Sequence, residues 1–127
     1  MSQPTVSKQG EFFQLQRRGD VVIMLPSPNI EDMVESLIDP SAKLVLQPLL
    51  ANPPSGLVVD LTQVDYFGSL FVRFLLRCHE FLQGEGIEMV LAGVSEKCRE
   101  LLHVMNLDTL WAIYDTLNEA VEVFDGA

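Results

Sequence analysis

Histidine and cysteine are scarce in this chain, two of each among 127 residues, and basic side chains are few, 8 Lys and Arg against 18 Asp and Glu. Each shortage excludes something. Cys78 and Cys98 fall in apolar helical patterns, which suits buried thiols in a reducing compartment better than a disulfide framework. Neither His79 nor His103 has a Cys or Asp at recognisable metal-ligand spacing, so no metal site is expected. A net charge of −10 repels phosphate backbones and anionic lipid, which argues against a nucleic-acid partner. No apolar run reaches the roughly 20 residues of a membrane span. The N-terminal stretch is polar and holds no signal-peptide segment, so a cytoplasmic protein without a membrane span is expected. The chain also lacks Gly-x-Gly-x-x-Gly, a Gly-Lys-Ser/Thr phosphate loop and a Gly-x-Ser-x-Gly elbow. Without those signatures, no catalytic residues, no enzyme activity and no cofactor are expected.

What is present is the make-up of one packed domain: 48% apolar and 20% charged residues, in a length that holds a single core. Residues 1–11 are expected to be a tail and 12–125 the domain. Segments 12–17 (FFQLQR) and 21–25 (VVIML), joined by Arg18-Gly19-Asp20, predict an N-terminal hairpin. Asn29 is placed to start a helix through Ile30, Met33, Val34, Leu37 and Ile38 that ends before Pro40. Ser41 starts a second piece, which should kink or stop at Pro48 because the ring meets the Leu44 carbonyl.

Segment 57–61 (LVVDL) reads as a strand buried on both faces. Ser69 then caps a helix to about Gln83, with Arg73, Arg77 and Glu80 on one side and Leu75, Leu76, Cys78 and Leu82 facing away. A strand at 87–92 (IEMVLA) follows, and Ser95 opens a helix carrying Cys98, Leu101, Leu102 and Met105. Asn106 suits the left-handed position that closes it. Residues 111–114 (WAIY) make a last short strand. The capping box Thr116-Leu117-Asn118-Glu119 opens a final helix with an apolar stripe of Leu117, Ala120, Val121 and Phe124. Strands alternating with helices predict that 57–61, 87–91 and 111–114 run parallel. The expected fold is therefore α/β, a mainly parallel sheet with an N-terminal hairpin and covering helices.

Function concentrates at strand ends in such folds, which singles out residues 59–69 (VDLTQVDYFGS). Asp60 has a functional reading as a carboxylate and a plainer one as a strand-end acid bonding the next turn. Ser69 has two as well: a phosphate acceptor where a helix dipole favours added charge, or an N-cap.

This segment resembles the STAS domain family of anti-sigma factor antagonists, whose strand and turn read VVDLSxVxFxDSSG. The likeness spans residues 12–124 and continues in 89–95 (MVLAGVS), in Leu101-Leu102 through Asn106-Leu107-Asp108, and in Ile113-Tyr114 with Glu119-Ala120. It implies a STAS-like single domain that docks to a protein partner, an anti-sigma factor or serine kinase, and is switched by phosphorylation of the first serine of Asp-Ser-Ser-Gly. Here that stretch is Gly68-Ser69-Leu70-Phe71. The serine is retained and its three neighbours are replaced, so Ser69 is the one residue of the motif that carries over. The partner-binding surface implied is Tyr66, Gly68, Ser69, Arg73 and Arg77. A small-ligand or nucleotide-sensing STAS module is the alternative.

Overall fold

The computed structural model describes residues 5–8 and 12–125. Six strands form one sheet in chain order: β1 (Thr5–Lys8), β2 (Phe13–Arg18), β3 (Val21–Pro26), β4 (Gly56–Asp60), β5 (Glu88–Ala92) and β6 (Ile113–Tyr114). The first three pair antiparallel, and β3 through β6 pair parallel. The three strands predicted to run parallel do so.

The β2–β3 hairpin closes over Gly19 and Asp20, with Gly19 at φ +60, the positive angle that a two-residue turn with glycine first requires. β1 lies within the stretch expected to be a tail, yet it pairs with β2 across four positions. Its pairing answers the open edge of β2, a distant feature that no local pattern announces.

Four helices join the sheet: α1 (Ile38–Ala51), α2 (Ser69–Gly84), α3 (Glu96–Val104) and α4 (Leu117–Asp125). The expected helix from Asn29 is corrected to two 3-10 turns, Ile30–Asp32 and Glu35–Leu37, after which α1 runs unbroken from Ile38. Pro40 neither ends nor precedes a helix; it sits in the first turn of α1, where its missing N–H costs nothing because that group has no intrahelical partner. Nor does Pro48 stop α1, which continues to Ala51. Leu44 and Pro48 both lie on the exposed side of the helix, where water can reach the carbonyl that Pro48 leaves unbonded.

Side-chain alternation along the strands feeds two cores. Val22, Met24, Leu57, Val59, Met89 and Leu91 point to the large one, under α1, α2 and α3. Val21, Ile23, Val58, Val90 and Ala92 point to a small one that meets Ala120 and Val121 of α4. β4 is buried at every position, as its unbroken apolar run predicts. Phe124 lies over Gly56 so closely that a Cβ there would overlap the ring, which explains the glycine.

Local signals set the ends of the later elements. Asn106 takes φ 59 after α3, the left-handed closure expected of it. In the capping box, the Thr116 N–H donates to Glu119 Oε1 at 3.1 Å and the Glu119 N–H to Thr116 Oγ1 at 3.1 Å. Both cysteines are buried free thiols. Burial pushes the Cys78 thiol up to about 12, against a smaller opposing pull from the Arg77 charge, so it stays protonated and inert.

Candidate protein-interaction site

The turn between β4 and α2 is held from beneath by two apolar anchors, Val64 and Phe67, both in the large core. Phe67 packs on Phe71 of α2 with ring centroids 5.0 Å apart. Polar bonds fix the rest. Asp60, buried, accepts from the Thr62 N–H at 3.1 Å and the Thr62 hydroxyl at 2.8 Å, the plainer of its two readings. The Gln63 side-chain amide donates to the Pro26 carbonyl at 2.7 Å, tying the turn to the end of β3. The Ser95 hydroxyl donates to the Asp65 carbonyl at 2.8 Å and accepts from the Cys98 N–H at 3.2 Å, so one side chain caps α3 and ties the turn to the β5–α3 loop. Gly93, at φ +68, lets Thr62 sit against its backbone.

On this pinned base the segment from Tyr66 to Ser69 turns outward. Tyr66 is 43% exposed although aromatic. The expected cap role of Ser69 is corrected: Gly68 holds the N-cap position in extended geometry, and Ser69 is the first residue of α2, with its side chain exposed. Nothing lies within 4 Å of where a Gly68 side chain would begin, so that position is open space. Beside Ser69 lies a cleft of about 190 Å3, with Ile30, Met33 and Phe71 as its apolar lining and Glu31 also on its wall.

Arg73 and Arg77 follow Ser69 at intervals of four, which places the three along one side of α2. Arg73 bonds Glu35 at 3.3 Å and Arg77 bonds Asp39 at 2.6 Å, both through Nη1 and both between exposed side chains. Such pairs add little to stability, about 0–1 kcal/mol each. They do fix where α2 presents its charges. The structure places the expected Tyr66, Gly68, Ser69, Arg73 and Arg77 on this turn and helix; Glu31 and Met33, which the fold brings to Ser69 from the 3-10 turns, and the part Thr62 and Gln63 play in pinning the turn were not anticipated from the sequence. The only local clue was a glycine directly after the apolar run of β5.

At the far side of α2, the Trp111 indole N–H donates to His79 Nδ1 at 3.1 Å, which uses that histidine as an acceptor inside the fold. His103 stands apart on α3, bonded to Asp108 at 2.7 Å. That bond is the main cause that lowers the Asp108 carboxyl below its ordinary value.

A sheet with three parallel crossover units, and a polar turn leading to an exposed serine at a helix start, defines a class of small α/β domain in which a strand-end turn is presented outward. The STAS domain model matches residues 20–120, and the chain belongs to that family. Among its relatives, the anti-sigma-F factor antagonist RsfB of Mycobacterium tuberculosis is 27% identical over 73 residues, 58% of this chain and 59% of that protein. The chain thus spans about three-fifths of that curated relative's length. The TM1081 homolog of Thermotoga neapolitana is 25% identical over 107 residues, 84% of this chain and 92% of that protein. The fold is shared with a variant of RsbS from Moorella thermoacetica, at 17% identity and a TM-score of 0.77 over 88% of this chain and 96% of that one. Both curated relatives are named as anti-sigma factor antagonists. Among the described residues, no helix is long and apolar enough to cross a membrane.

Proposed function

We propose that this chain is a non-catalytic regulatory module of the anti-sigma factor antagonist type, which docks to an anti-sigma factor or a related serine kinase through Tyr66, Gly68, Ser69, Arg73 and Arg77. The observation that carries the reading is Ser69 itself: an exposed hydroxyl at the first position of α2, with the cap position taken by Gly68, on a turn pinned from two neighbouring loops. A serine placed so has no structural task to lose on modification. Phosphate on Ser69 would add about two negative charges at the rim of the Glu31 cleft. The helix dipole favours that charge, while a partner seated on the turn meets a larger and more negative surface.

The test is isothermal titration of the native protein against the purified anti-sigma factors of its bacterial host, with Ser69→Ala and Ser69→Asp alongside. Wild type and Ser69→Ala bind alike, and Ser69→Asp binds at least tenfold more weakly. Equal binding by all three, with equal binding by Arg73→Glu, removes the docking surface. A melting temperature raised by a nucleotide, with no protein bound, supports the ligand-sensing alternative instead.

A further inference from the structure

The two 3-10 turns beside the start of α2 are held differently. Ile30 and Met33 sink into the large core and fix the first, Ile30–Asp32. The second, Glu35–Leu37, contains no buried residue, and Val34 before it stays 53% exposed. Among the described residues its one side-chain hydrogen bond is the Arg73–Glu35 pair, at 3.3 Å between exposed groups. We propose that phosphate on Ser69 takes Arg73 away from Glu35 and so loosens the second turn, carrying the modification from the start of α2 to a neighbouring element. This rests on Ser69 being the phosphate acceptor of the proposed function, and it states what the modification does inside the chain.

Arg73 lies four residues after Ser69, one turn along the same side of α2. An acid followed by a base at that spacing is the favoured order in a helix, in keeping with its dipole. The bridge it must displace is weak, an exposed pair with a single bond. Phosphate brings about two negative charges and three acceptor oxygens to the helix that carries Arg73, and its bonds to a guanidinium are charge-assisted. Glu31 lines the cleft beside Ser69 and Glu35 stands at Arg73, so the added charge repels the segment that it deprives of a partner. Arg77 provides the contrast. It lies a further turn from Ser69 and bonds Asp39 of α1 at 2.6 Å, so that bridge survives.

The covalent step is a phosphoryl transfer by the kinase partner. Ser69 loses its hydroxyl proton, an Oγ–P bond forms, and the γ-phosphorus of a nucleoside triphosphate parts from its bridging oxygen as the diphosphate leaves.

The experiment compares the full chain carrying phosphoserine at position 69, installed during translation, with the unmodified chain, each with and without Arg73→Gln. Thermal melts establish that every form folds. Amide exchange followed by NMR reads the second turn at Leu37 and Ile38, whose N–H groups donate to the Val34 and Glu35 carbonyls, and the first turn at Asp32 and Met33. Phosphoserine speeds exchange at Leu37 and Ile38 about threefold, the effect of losing one exposed ion pair, and leaves Asp32 and Met33 unchanged. With Arg73→Gln the bridge is already gone, and phosphate adds no comparable increase. Phosphorus NMR reads the new pair: the second ionisation of the phosphate falls about half a pH unit lower with Arg73 present than in Arg73→Gln. Exchange unchanged by phosphate, an increase that persists in Arg73→Gln, or equal ionisation midpoints each overturn the exchange of partners. Titration with the anti-sigma factor separates this from the reading beneath it. Binding weakened by phosphoserine with unchanged amide exchange leaves the docking turn standing and removes the loosened segment, whereas faster exchange with full binding does the reverse.

Discussion

The two faces of the sheet are built unequally. One carries α1, α2 and α3 over a core in which Phe13, Phe71 and Phe74 stack, with Phe13 and Phe74 centroids 4.5 Å apart. The other carries nine-residue α4 over a patch of five strand residues. Strand β4 serves both, sending Leu57 and Val59 to the thick layer and Val58 to the thin one. The difference bears on where the proposed docking surface is mounted. The turn from β4 to α2 is anchored by Val64 and Phe67 in the thick layer, so it inherits the rigidity of the most buried part of the molecule. A turn hung from the thin face would move whenever α4 frayed.

The largest expected effect tests the thick layer. Val59→Asp puts an unpaired charge at a fully buried position between β3 and β5, and the domain should fail to fold. Circular dichroism and a thermal melt check it; a cooperative melt near the wild-type temperature would show that β4 is not the centre of the structure. The comparison itself is tested by two phenylalanines. Phe74→Ala removes a fully enclosed ring from the aromatic stack and should cost about 4 kcal/mol. Phe124→Ala removes a half-buried ring from the thin face and should cost about 2 kcal/mol, with binding at the Ser69 turn untouched. Urea unfolding measures both. Equal costs would mean that the thin layer supports the fold as much as the thick one.

How much of this was legible in the sequence follows the range of the interaction concerned. Gly19, Asn106 and the Thr116–Glu119 box depend on residues within a few positions, and each formed as its pattern predicts. β4 and β5 were legible because an apolar run bounded by breakers has few other uses. The stretch from Asn29 to Leu37 was not. Its apolar spacing fits a helix, yet Ile30 and Met33 are drawn into the core separately and the backbone settles in two tight turns. The site divides in the same way. Tyr66, Ser69 and Arg73 lie in one stretch of chain, and their exposure follows from the turn. Glu35 and Asp39 reach Arg73 and Arg77 across 38 positions, and Glu31 reaches the Ser69 cleft from a different element. No periodicity within α2 could have named those partners.

The smallest effect sharpens the comparison inside the thick layer, at the two serines that stand where α2 and α3 begin. In sequence the two look alike, each a serine after a strand and ahead of an apolar stripe, and a cap is predicted at both. Only Ser95 is one. It holds the N-cap position of α3, accepts from the Cys98 N–H and donates to the Asp65 carbonyl, so Ser95→Ala breaks two bonds and should cost about 1–2 kcal/mol. Ser69 stands one residue inside α2, after Gly68, with its side chain in solvent, and Ser69→Ala should change stability by less than about 0.5 kcal/mol. Urea midpoints of the two variants measured side by side decide the matter. A cost at Ser69 as large as that at Ser95 would mean that its hydroxyl supports the helix, and the exposed serine would lose its claim to be free for regulation. A negligible cost leaves a hydroxyl that the fold does not use, on a turn that Ser95 itself holds in place.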